Sequence, residues 1–409
     1  MLAKTIQKPE QSASRLDTLI CYAANAIAGR GGQGEFLRQM MYALDRLPHG
    51  RVVSRGASRE SKAGHAESVD IELQGWRALA LHSIAALPIL RRRHDVLTLL
   101  SDVDFDEQLS AHLDGAGLFD GVMGQCCRTF ERLSAKNVPL VLTALNTHLD
   151  GVTEVLADEH RRLAIHSPGF IHPGMRERVH GEIERATCIR AVSRLVKQSF
   201  VERGVSPDKV RVVLPAIDLE HFQPVAKKDD VFRVLAVASI DARKGIYYLL
   251  KAFEKAAIPN SELRIIGATG DPWSRRMLEQ FTSRLSNIGI QSADVVKEPV
   301  ESTYGPASVF VHPAIEDGFG LAVGQALACG KPVITTRQTG ASELIVEGEN
   351  GYVIECRDVD GLVDRLKQLA RDESLLARLS AAGPGSVAHL GYPQFGENVG
   401  RFYDEVLRA

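Results

Sequence analysis

Short apolar runs alternate along this chain with longer segments in which apolar residues recur every three or four positions. Residues 18–22 form the first run and predict a buried strand, and residues 35–47 have the periodicity of an amphipathic helix. Further strands are predicted at residues 96–100, 121–123, 139–144 and 186–191. Strands that alternate with helices in this way are typical of a doubly wound α/β domain with a parallel sheet.

The pattern breaks near residue 220 and then starts again. Residues 214–230 contain two prolines and a charged cluster, which is typical of a linker between domains. Beyond it, strands are predicted at residues 232–238, 263–266, 307–311 and 333–334, and helices at residues 249–257 and 393–408. We therefore expect two α/β domains, over residues 1–220 and 221–390. Ligands should bind at the carboxyl ends of their strands.

A glycine loop is followed by a helix of small residues and then by a strand over residues 317–334. Gly318 and Gly320 allow the backbone to approach a ligand closely, and the free N–H groups at the start of the helix favour a phosphate. Asp317 and Gln325 are eight residues apart, which is about 12 Å along a helix axis. This is close to the span of a sugar diphosphonucleotide, so one residue could hold the sugar and the other the ribose.

These residues resemble the donor-site signature of the retaining glycosyltransferases of family 4, the group 1 glycosyltransferases with the GT-B fold. The signature is usually Glu-x7-Glu, and here Asp317, next to Glu316, and Gln325 stand at its two acidic positions. The resemblance implies two Rossmann-like domains facing a cleft, with a C-terminal helix over residues 391–409 that crosses back to the first domain. It implies a donor-binding set of Gly32, Glu316, Gly318, Phe319, Gly320, Leu321 and Gln325.

Two cations, Arg243 and Lys244, follow the first predicted strand of the second domain. Fixed cations there would stabilise the charge that develops on a departing nucleoside diphosphate. The segment resembles the family motif Gly-Arg-x4-Lys-Gly, with Ser239 at the arginine position. Arg243 could replace that cation, or the diphosphate could be held by one charge fewer. The structural alternative is a solvated Arg-Lys pair at a turn.

The segment over residues 29–34 has the form G-x-G-x-x-G between a strand and a helix. Three interpretations remain open for it. The resemblance favours contact with the donor phosphate or the acceptor, the second interpretation is a plain tight turn, and the third is a dinucleotide site. Because Arg55 stands where a site for NAD would carry an acid, that third site would suit NADP.

Two further motifs concern the reaction itself. His148 follows the strand predicted at residues 139–144, and the resemblance suggests that it contacts the donor sugar, although a structural histidine is equally expected. Asp102-Val-Asp104 matches the metal-binding Asp-x-Asp motif of the other large glycosyltransferase fold. In a predicted acidic loop this match is expected by chance. Because Arg243 and Lys244 can neutralise a diphosphate, we expect a metal-independent enzyme without a cofactor.

Composition adds limits to this interpretation. Of 409 residues 44% are hydrophobic and 24% charged, and the net charge of −2 gives no indication of a nucleic-acid binder. Scattered cysteines, no apolar signal core and no run of 18 apolar residues predict a cytoplasmic protein, either free or peripheral to the inner face of the membrane. Residues 76–100 could rest on anionic lipid, or could form a crossover helix with a solvated basic end.

The predicted function follows from the resemblance. It is transfer of a sugar from a nucleotide sugar to a hydroxyl of a glycan, lipid-linked or small-molecule acceptor, with retention of configuration, in surface polysaccharide or glycolipid synthesis. The residues expected to act in catalysis are Arg243, Lys244, Asp317 and His148. One alternative is a non-catalytic relative that binds nucleotide sugars as a partner subunit, suggested by Asp317, Gln325 and Ser239. An NADP-dependent oxidoreductase is a more distant alternative.

Overall fold

The computed structural model describes residues 15–56, 65–72, 93–166, 171–269, 271–292 and 297–409. Strands β1 to β7 are Leu19–Ile27, Gly50–Gly56, Glu67–Asp70, Ala116–Val122, Leu140–Ala144, Cys188–Ala191 and Val210–Val212. Strands β8 to β13 are Phe232–Val237, Ser261–Ile266, Ile288–Gln291, Val309–His312, Val333–Thr336 and Gly351–Ile354.

The helices of the described residues connect these strands. Helices α1 to α6 are Gly31–Leu44, His94–Leu109, Cys127–Ser134, Leu149–Arg162, Pro173–Arg185 and Arg194–Val201. Helices α7 to α12 are Ile246–Ala256, Pro272–Thr282, Leu321–Ala328, Val359–Arg371, Glu373–Val387 and Tyr392–Arg408.

The strands form two parallel sheets. The first has the order β3-β2-β1-β4-β5-β6-β7 and the second the order β10-β9-β8-β11-β12-β13. In both sheets the strand order reverses beside the first strand, β1 or β8, and this is where open α/β sheets bind ligands. Their central strands are buried on both faces, as β5 is along its whole length, because helices cover both sides of a parallel sheet.

The final helix, α12, packs against the first sheet although it follows the second in sequence. Phe395 of α12 makes an edge-on contact with Phe36 of α1, at 6.2 Å between ring centroids. Tyr403 donates a hydrogen bond of 2.7 Å to Asp120 of β4. Asp120 also pairs with Arg190 at 2.9 Å, and both of these charged side chains are fully buried. The last helix is therefore part of the core of the first sheet.

Most predicted strands are confirmed, but the strand predicted at residues 96–100 is wrong. These residues lie in α2, as does the Asp-x-Asp segment that was predicted to be a loop. The buried face of α2 includes Asp102, Asp106 and Leu109, which recur at helical spacing. Because two of these three residues are carboxylates, a search for apolar periodicity misses the helix. The segment considered for lipid contact lies mostly outside the described residues, which resume at residue 93.

Candidate active site

A cleft of about 2040 Å³ lies between the two sheets, at the carboxyl ends of their strands. Its first wall includes the loop between β1 and α1, part of α2 and the loop after β5. The second wall is formed by the loop after β8, the end of β11 and the start of α9. The cleft is lined by the following residues of the predicted site: Gly32, Arg243, Lys244, Asp317, Phe319, Gly320, Leu321 and Gln325.

Lys244 and Asp317 form an ion pair on the second wall. Lys244 Nζ lies 2.5 Å from Asp317 Oδ2, and His312 Nε2 lies 2.8 Å from the same oxygen. Asp241 accepts a hydrogen bond of 3.0 Å from the backbone N–H of Lys244 and so fixes the turn that carries it. Gly245 follows with φ +65°, and a Cβ there would clash with the carbonyl of Pro313. The turn therefore requires a glycine immediately after the lysine.

The electrostatic environment keeps Asp317 ionised. Burial alone would raise the pKa of this carboxyl, but the charge of Lys244 and the hydrogen bond with His312 outweigh burial and hold the pKa well below its ordinary value. Asp317 thus compensates the charge of Lys244. A bound anion would compete with Asp317 for Lys244.

Gln325 lies on α9 and is held from behind by a buried tyrosine. Tyr304, which is fully buried, donates a hydrogen bond of 2.8 Å to Gln325 Oε1. With its oxygen used in this way, the amide presents Nε2 as a donor. The predicted spacing of 12 Å between Asp317 and Gln325 does not apply, because α9 begins only at Leu321 and Asp317 lies in the preceding loop.

The glycine loop before α9 lines the cleft at one residue and contacts the first domain at another. Gly320, with φ +84°, is the residue before the helix and lines the cleft. Gly318 does not line it, and a Cβ at this position would clash with the carbonyl of Leu145 in the first domain. Ser193 Oγ donates a hydrogen bond of 2.6 Å to the Gly318 carbonyl. The absence of a side chain at Gly318 therefore allows the two domains to meet.

Comparisons with known proteins agree with this geometry. The family model described as glycosyl transferases group 1 matches residues 218–385, which include Lys244, Asp317 and Gln325. Residues 218–385 are thus similar to the group 1 glycosyltransferases. A D-inositol 3-phosphate glycosyltransferase of Xylanimonas cellulosilytica is 27% identical over 255 residues, which is 56% of this chain and 60% of that protein. The chain thus matches about 60% of the length of this relative.

Solved structures show that the chain has the GT-B fold. Sucrose-phosphate synthase from Thermosynechococcus elongatus superposes with a TM-score of 0.74 at 20% identity, over 96% of this chain and 99% of that chain. HepE from Anabaena, in complex with UDP-glucose, superposes with a TM-score of 0.67 at 15% identity, over 95% and 100% of the two chains. At these identities the likeness concerns the fold.

Arg243 mainly joins the two domains. Its Nη1 lies 3.0 Å from Glu316 Oε2 and 3.3 Å from Asn146 Oδ1 of the first domain. Glu316 does not line the cleft; its other oxygen accepts hydrogen bonds from the backbone and hydroxyl of Thr147, at 3.2 and 2.9 Å. Arg243, Glu316, Asn146 and Thr147 thus form a polar bridge between the domains, and Lys244 is the cation of the pair that faces the glycine loop.

His148 is not among the residues that line the cleft. It precedes α4, where its Nδ1 accepts the Asp150 N–H at 3.3 Å, and its ring meets Phe200 edge-on at 5.1 Å. Burial lowers the pKa of His148. Asn146 and Leu145, two and three residues earlier, line the cleft instead. The prediction for His148 placed the right loop in the cleft, but the structure puts a different part of that loop there.

The glycine segment before α1 forms a tight turn that faces the cleft. The backbone N–H of Gly29 donates to the Gly34 carbonyl at 3.0 Å, and a Cβ at Gly34 would clash with the Ile27 carbonyl. Gly31 has φ +63°, and open space surrounds Gly32. The turn and contact interpretations are therefore compatible, because Gly34 closes the turn while Gly32 remains accessible from the cleft.

Arg55 is fully engaged and does not favour the NADP interpretation. Its guanidinium pairs with Asp104 at 2.8 Å and donates to Asn25 and to the Ile71 carbonyl, at 3.0 and 3.1 Å. Only 10% of the Arg55 side chain is exposed. A 2′-phosphate would have to displace partners that already satisfy this arginine.

The sequence analysis missed several residues that shape the cleft. His312, Tyr304, Asn146 and Asp102 were not predicted to take part. His312 ends β11 directly, and a polar residue at the carboxyl end of a parallel strand was the signal that could have found it. Such reasoning could not find Tyr304, because this residue is buried in the core and contacts the cleft residue Gln325 from behind. Within the described residues, no helix is long and apolar enough to cross a bilayer.

Proposed function

We propose that this chain transfers a sugar from a nucleoside diphosphate sugar to a hydroxyl group of an acceptor, with retention of configuration and without a divalent metal. The observation that carries the proposal is the Lys244–Asp317 pair at the entrance to α9, which the family segment contributes to a cleft between two parallel sheets. Because HepE, which shares the fold, was solved in complex with UDP-glucose, UDP-sugars are the first donors to test.

Lys244 is proposed to stabilise the leaving diphosphate. Charge grows on the diphosphate as the glycosidic bond breaks, and a fixed cation in a cleft with little water lowers the energy of that state. Backbone N–H groups at the start of α9 add positive potential there. In this proposal Lys244 exchanges Asp317 for the diphosphate, and Asp317 becomes available to accept a hydrogen bond from the sugar.

Retention is proposed to occur by attack on the same face from which the diphosphate departs. Glu316 is buried and hydrogen-bonded to Thr147 and Arg243, and Asp317 is paired with Lys244, so neither is placed as a free nucleophile. The departing phosphate oxygen would then take the proton of the acceptor hydroxyl. Bond formation to the acceptor and loss of the diphosphate balance without a further reactant.

The test is sugar transfer by the purified full chain. UDP- and GDP-sugars are supplied with an acceptor panel of inositol phosphates, monosaccharides and glycolipids, in the presence of EDTA or Mg²⁺. Released nucleoside diphosphate gives the rate, and proton NMR of the product gives the anomeric configuration. We expect an α-linked product from an α-linked donor and equal rates in EDTA and Mg²⁺.

Lys244→Ala is the decisive variant, and Lys251→Ala is its matched control. Lys251 is an exposed lysine on α7, where its ammonium lies over the ring of Tyr247. We expect Lys244→Ala to reduce turnover about 10²- to 10³-fold, the range for loss of one group that stabilises transition-state charge, and Lys251→Ala to have no effect. Binding of nucleotide sugar without transfer or hydrolysis would instead support the non-catalytic relative, and an inverted product would exclude the retaining mechanism.

A further inference from the structure

Three side chains of the metal-binding type meet outside the cleft, at the start of α4 and in α5. They are His148, Asp150 and His180, and one candidate ligand atom of each lies within 4.8 Å of the others. His180 Nε2 is 2.9 Å and His148 Nδ1 is 3.9 Å from Asp150 Oδ2. We propose that these three side chains bind one divalent transition-metal ion of the zinc type.

The chemistry of the three ligands selects the class of metal. Two imidazole nitrogens and one carboxylate oxygen suit Zn²⁺ and its neighbours in the first transition row, whereas Mg²⁺ and Ca²⁺ prefer oxygen ligands alone. Ligands about 2.0–2.1 Å from a tetrahedral ion lie roughly 3.4 Å from one another. The observed separations of 2.9 and 3.9 Å lie on either side of that value. Small side-chain rotations would close the site, with water as the remaining ligand.

Neighbouring groups already orient the carboxylate. Arg176 binds the other oxygen, Asp150 Oδ1, with its Nε at 2.8 Å and its Nη2 at 2.6 Å. Asp150 Oδ2 is therefore left facing both histidines. Hydrogen bonds that fix a ligand in this way are a regular feature of protein metal sites. Another nearby cation, Arg203, is paired with Glu154 at 2.5 Å, which reduces its repulsion of a metal ion.

The site is preformed on one side and accessible on the other. His148 is 5% exposed and is held by Phe200, while the side chain of His180 is 51% exposed and leaves an entry route. Metal binding would replace the 3.3 Å hydrogen bond from the Asp150 N–H to His148. It would also join the first turn of α4 to α5 behind the wall of the cleft. None of the three ligands lines the cleft.

The test is a cobalt titration of the full chain after treatment with a chelator and dialysis. One equivalent of Co²⁺ should produce visible absorption bands typical of nitrogen and oxygen ligands, and Zn²⁺ should abolish them. His180→Ala should remove the bands, and His389→Ala, an exposed histidine of the second domain, should retain them. Arg176→Gln should weaken Zn²⁺ binding about 10- to 100-fold, as loss of a supporting hydrogen bond does.

The proposal is overturned if Co²⁺ gives no bands, or if the bands of His180→Ala equal those of the parent protein. Because His180 is half exposed, His180→Ala should keep its fold, and an unchanged circular dichroism spectrum would show this. A second readout is the melting temperature, which Zn²⁺ should raise in the parent and in His389→Ala but not in His180→Ala. Both measurements are independent of sugar transfer, so failure of the proposed function would leave this inference intact.

Discussion

At the scale of single residues, two carboxylates of the cleft have opposite electrostatic environments. Asp317 has Lys244 and His312 as partners and stays ionised. Asp102 has the neutral amide of Asn25 as its hydrogen-bond partner, at 2.7 Å, and burial raises its pKa to about 6. Burial raises the pKa of both groups; at Asp317 the charge of Lys244 and the contact with His312 outweigh it, whereas at Asp102 the Asn25 hydrogen bond and the more distant charges of Arg178 and Arg55 do not.

We expect Asp102→Asn to stabilise the protein in a pH-dependent way. Because the folded-state pKa is about 6 and the ordinary value is 3.8, the folded protein binds this proton more tightly than the unfolded chain does. Ionisation therefore lowers the free energy of unfolding as the pH rises from about 4 to 6. Asparagine does not ionise, so the variant should gain up to about 3 kcal/mol at pH 7.5 and nothing near pH 4.

Urea unfolding at pH 4 and at pH 7.5 measures this difference. Asp104→Asn on the same helix is the matched control, since it removes the ion pair with Arg55. It should destabilise the protein at pH 7.5. An equal effect of Asp102→Asn at both pH values would show that its ionisation does not affect stability.

Under the proposed function, Tyr304 is expected to act on the donor site through Gln325. In Tyr304→Phe the amide oxygen loses its partner, which costs about 1–3 kcal/mol when the group stays buried, and the amide is no longer held in one orientation. We expect a several-fold rise in the KM for the donor and a smaller change in kcat. Tyr352→Phe, at another buried tyrosine of the second domain, is the control. A lower kcat with an unchanged KM would argue against this role.

At the scale of elements, Ser193 connects a helix cap to the domain interface. Its hydroxyl accepts the Val196 N–H at 3.1 Å and so caps α6, and it also donates to the Gly318 carbonyl. Ser193→Ala should lose about 0.5–2 kcal/mol of stability from the cap alone. It should also weaken donor binding, because Gly318 belongs to the loop that leads into α9.

Thermal melting with and without UDP separates these two effects. Ser134→Ala, at the end of α3, removes a hydroxyl that, among the described residues, donates to the Glu131 carbonyl of its own helix. It should change neither quantity appreciably. If Ser193→Ala lowered the melting temperature but left the shift caused by UDP unchanged, the contact with Gly318 would be dispensable for the site.

The sequence predicted elements well where burial follows apolar residues and poorly where it does not. The central strands of both sheets are largely buried, so a continuous apolar run was a sufficient signal for β5 or β8. Helix α2 buries carboxylates that find partners only in the folded chain, such as Asp106 with Arg178 at 2.8 Å. A pattern of hydrophobicity cannot predict ion pairs between residues that are distant in the sequence.

The candidate site was also predictable only in part: the residues of a local motif could be named, but their contacts with distant segments could not. Lys244, Asp317 and Gln325 were proposed from the sequence because they belong to a local motif with fixed spacing, and all three line the cleft. Glu316 and Arg243 were found with them, yet their contacts with Asn146 and Thr147 depend on how two distant segments meet. Motif spacing identifies residues along one segment, and it cannot tell whether a side chain faces the ligand or the opposite domain.

At the scale of the whole molecule, two chain segments cross between the domains side by side. The backbone N–H of Ile217, in the linker after β7, donates to the carbonyl of Leu390, just before α12, at 2.7 Å. A second contact between the domains lies at Glu159 of α4. Its carboxylate accepts hydrogen bonds from Arg357 at 2.6 Å and from the hydroxyl of Tyr248 at 2.7 Å, and both of these residues belong to the second domain. Glu159 is fully buried, so this contact holds the domains together from one side of the cleft.

We expect Glu159→Gln to favour a more open arrangement of the domains. The substitution removes the charge that holds Arg357, and the amide cannot accept both hydrogen bonds in the same way. Small-angle scattering should show a larger radius of gyration for the ligand-free variant than for the parent. Glu154→Gln is the matched control, because Glu154 lies on the same helix and pairs within the first domain, with Arg203. Identical scattering from both variants would show that the contacts of Glu159 do not hold the domains together.

The return of α12 to the first sheet also affects the order in which the two domains can fold during translation. A ribosome releases residues 19–212 long before residues 392–408, yet Phe36 and Asp120 find Phe395 and Tyr403 only in that last helix. The second sheet can bury most of its apolar faces while synthesis continues. Part of the apolar surface of the first sheet and of α1 stays uncovered until α12 has been synthesised. We therefore infer that the half of the protein translated first completes its core last, so chaperone binding to the nascent chain should concentrate on α1 and the strands beside it.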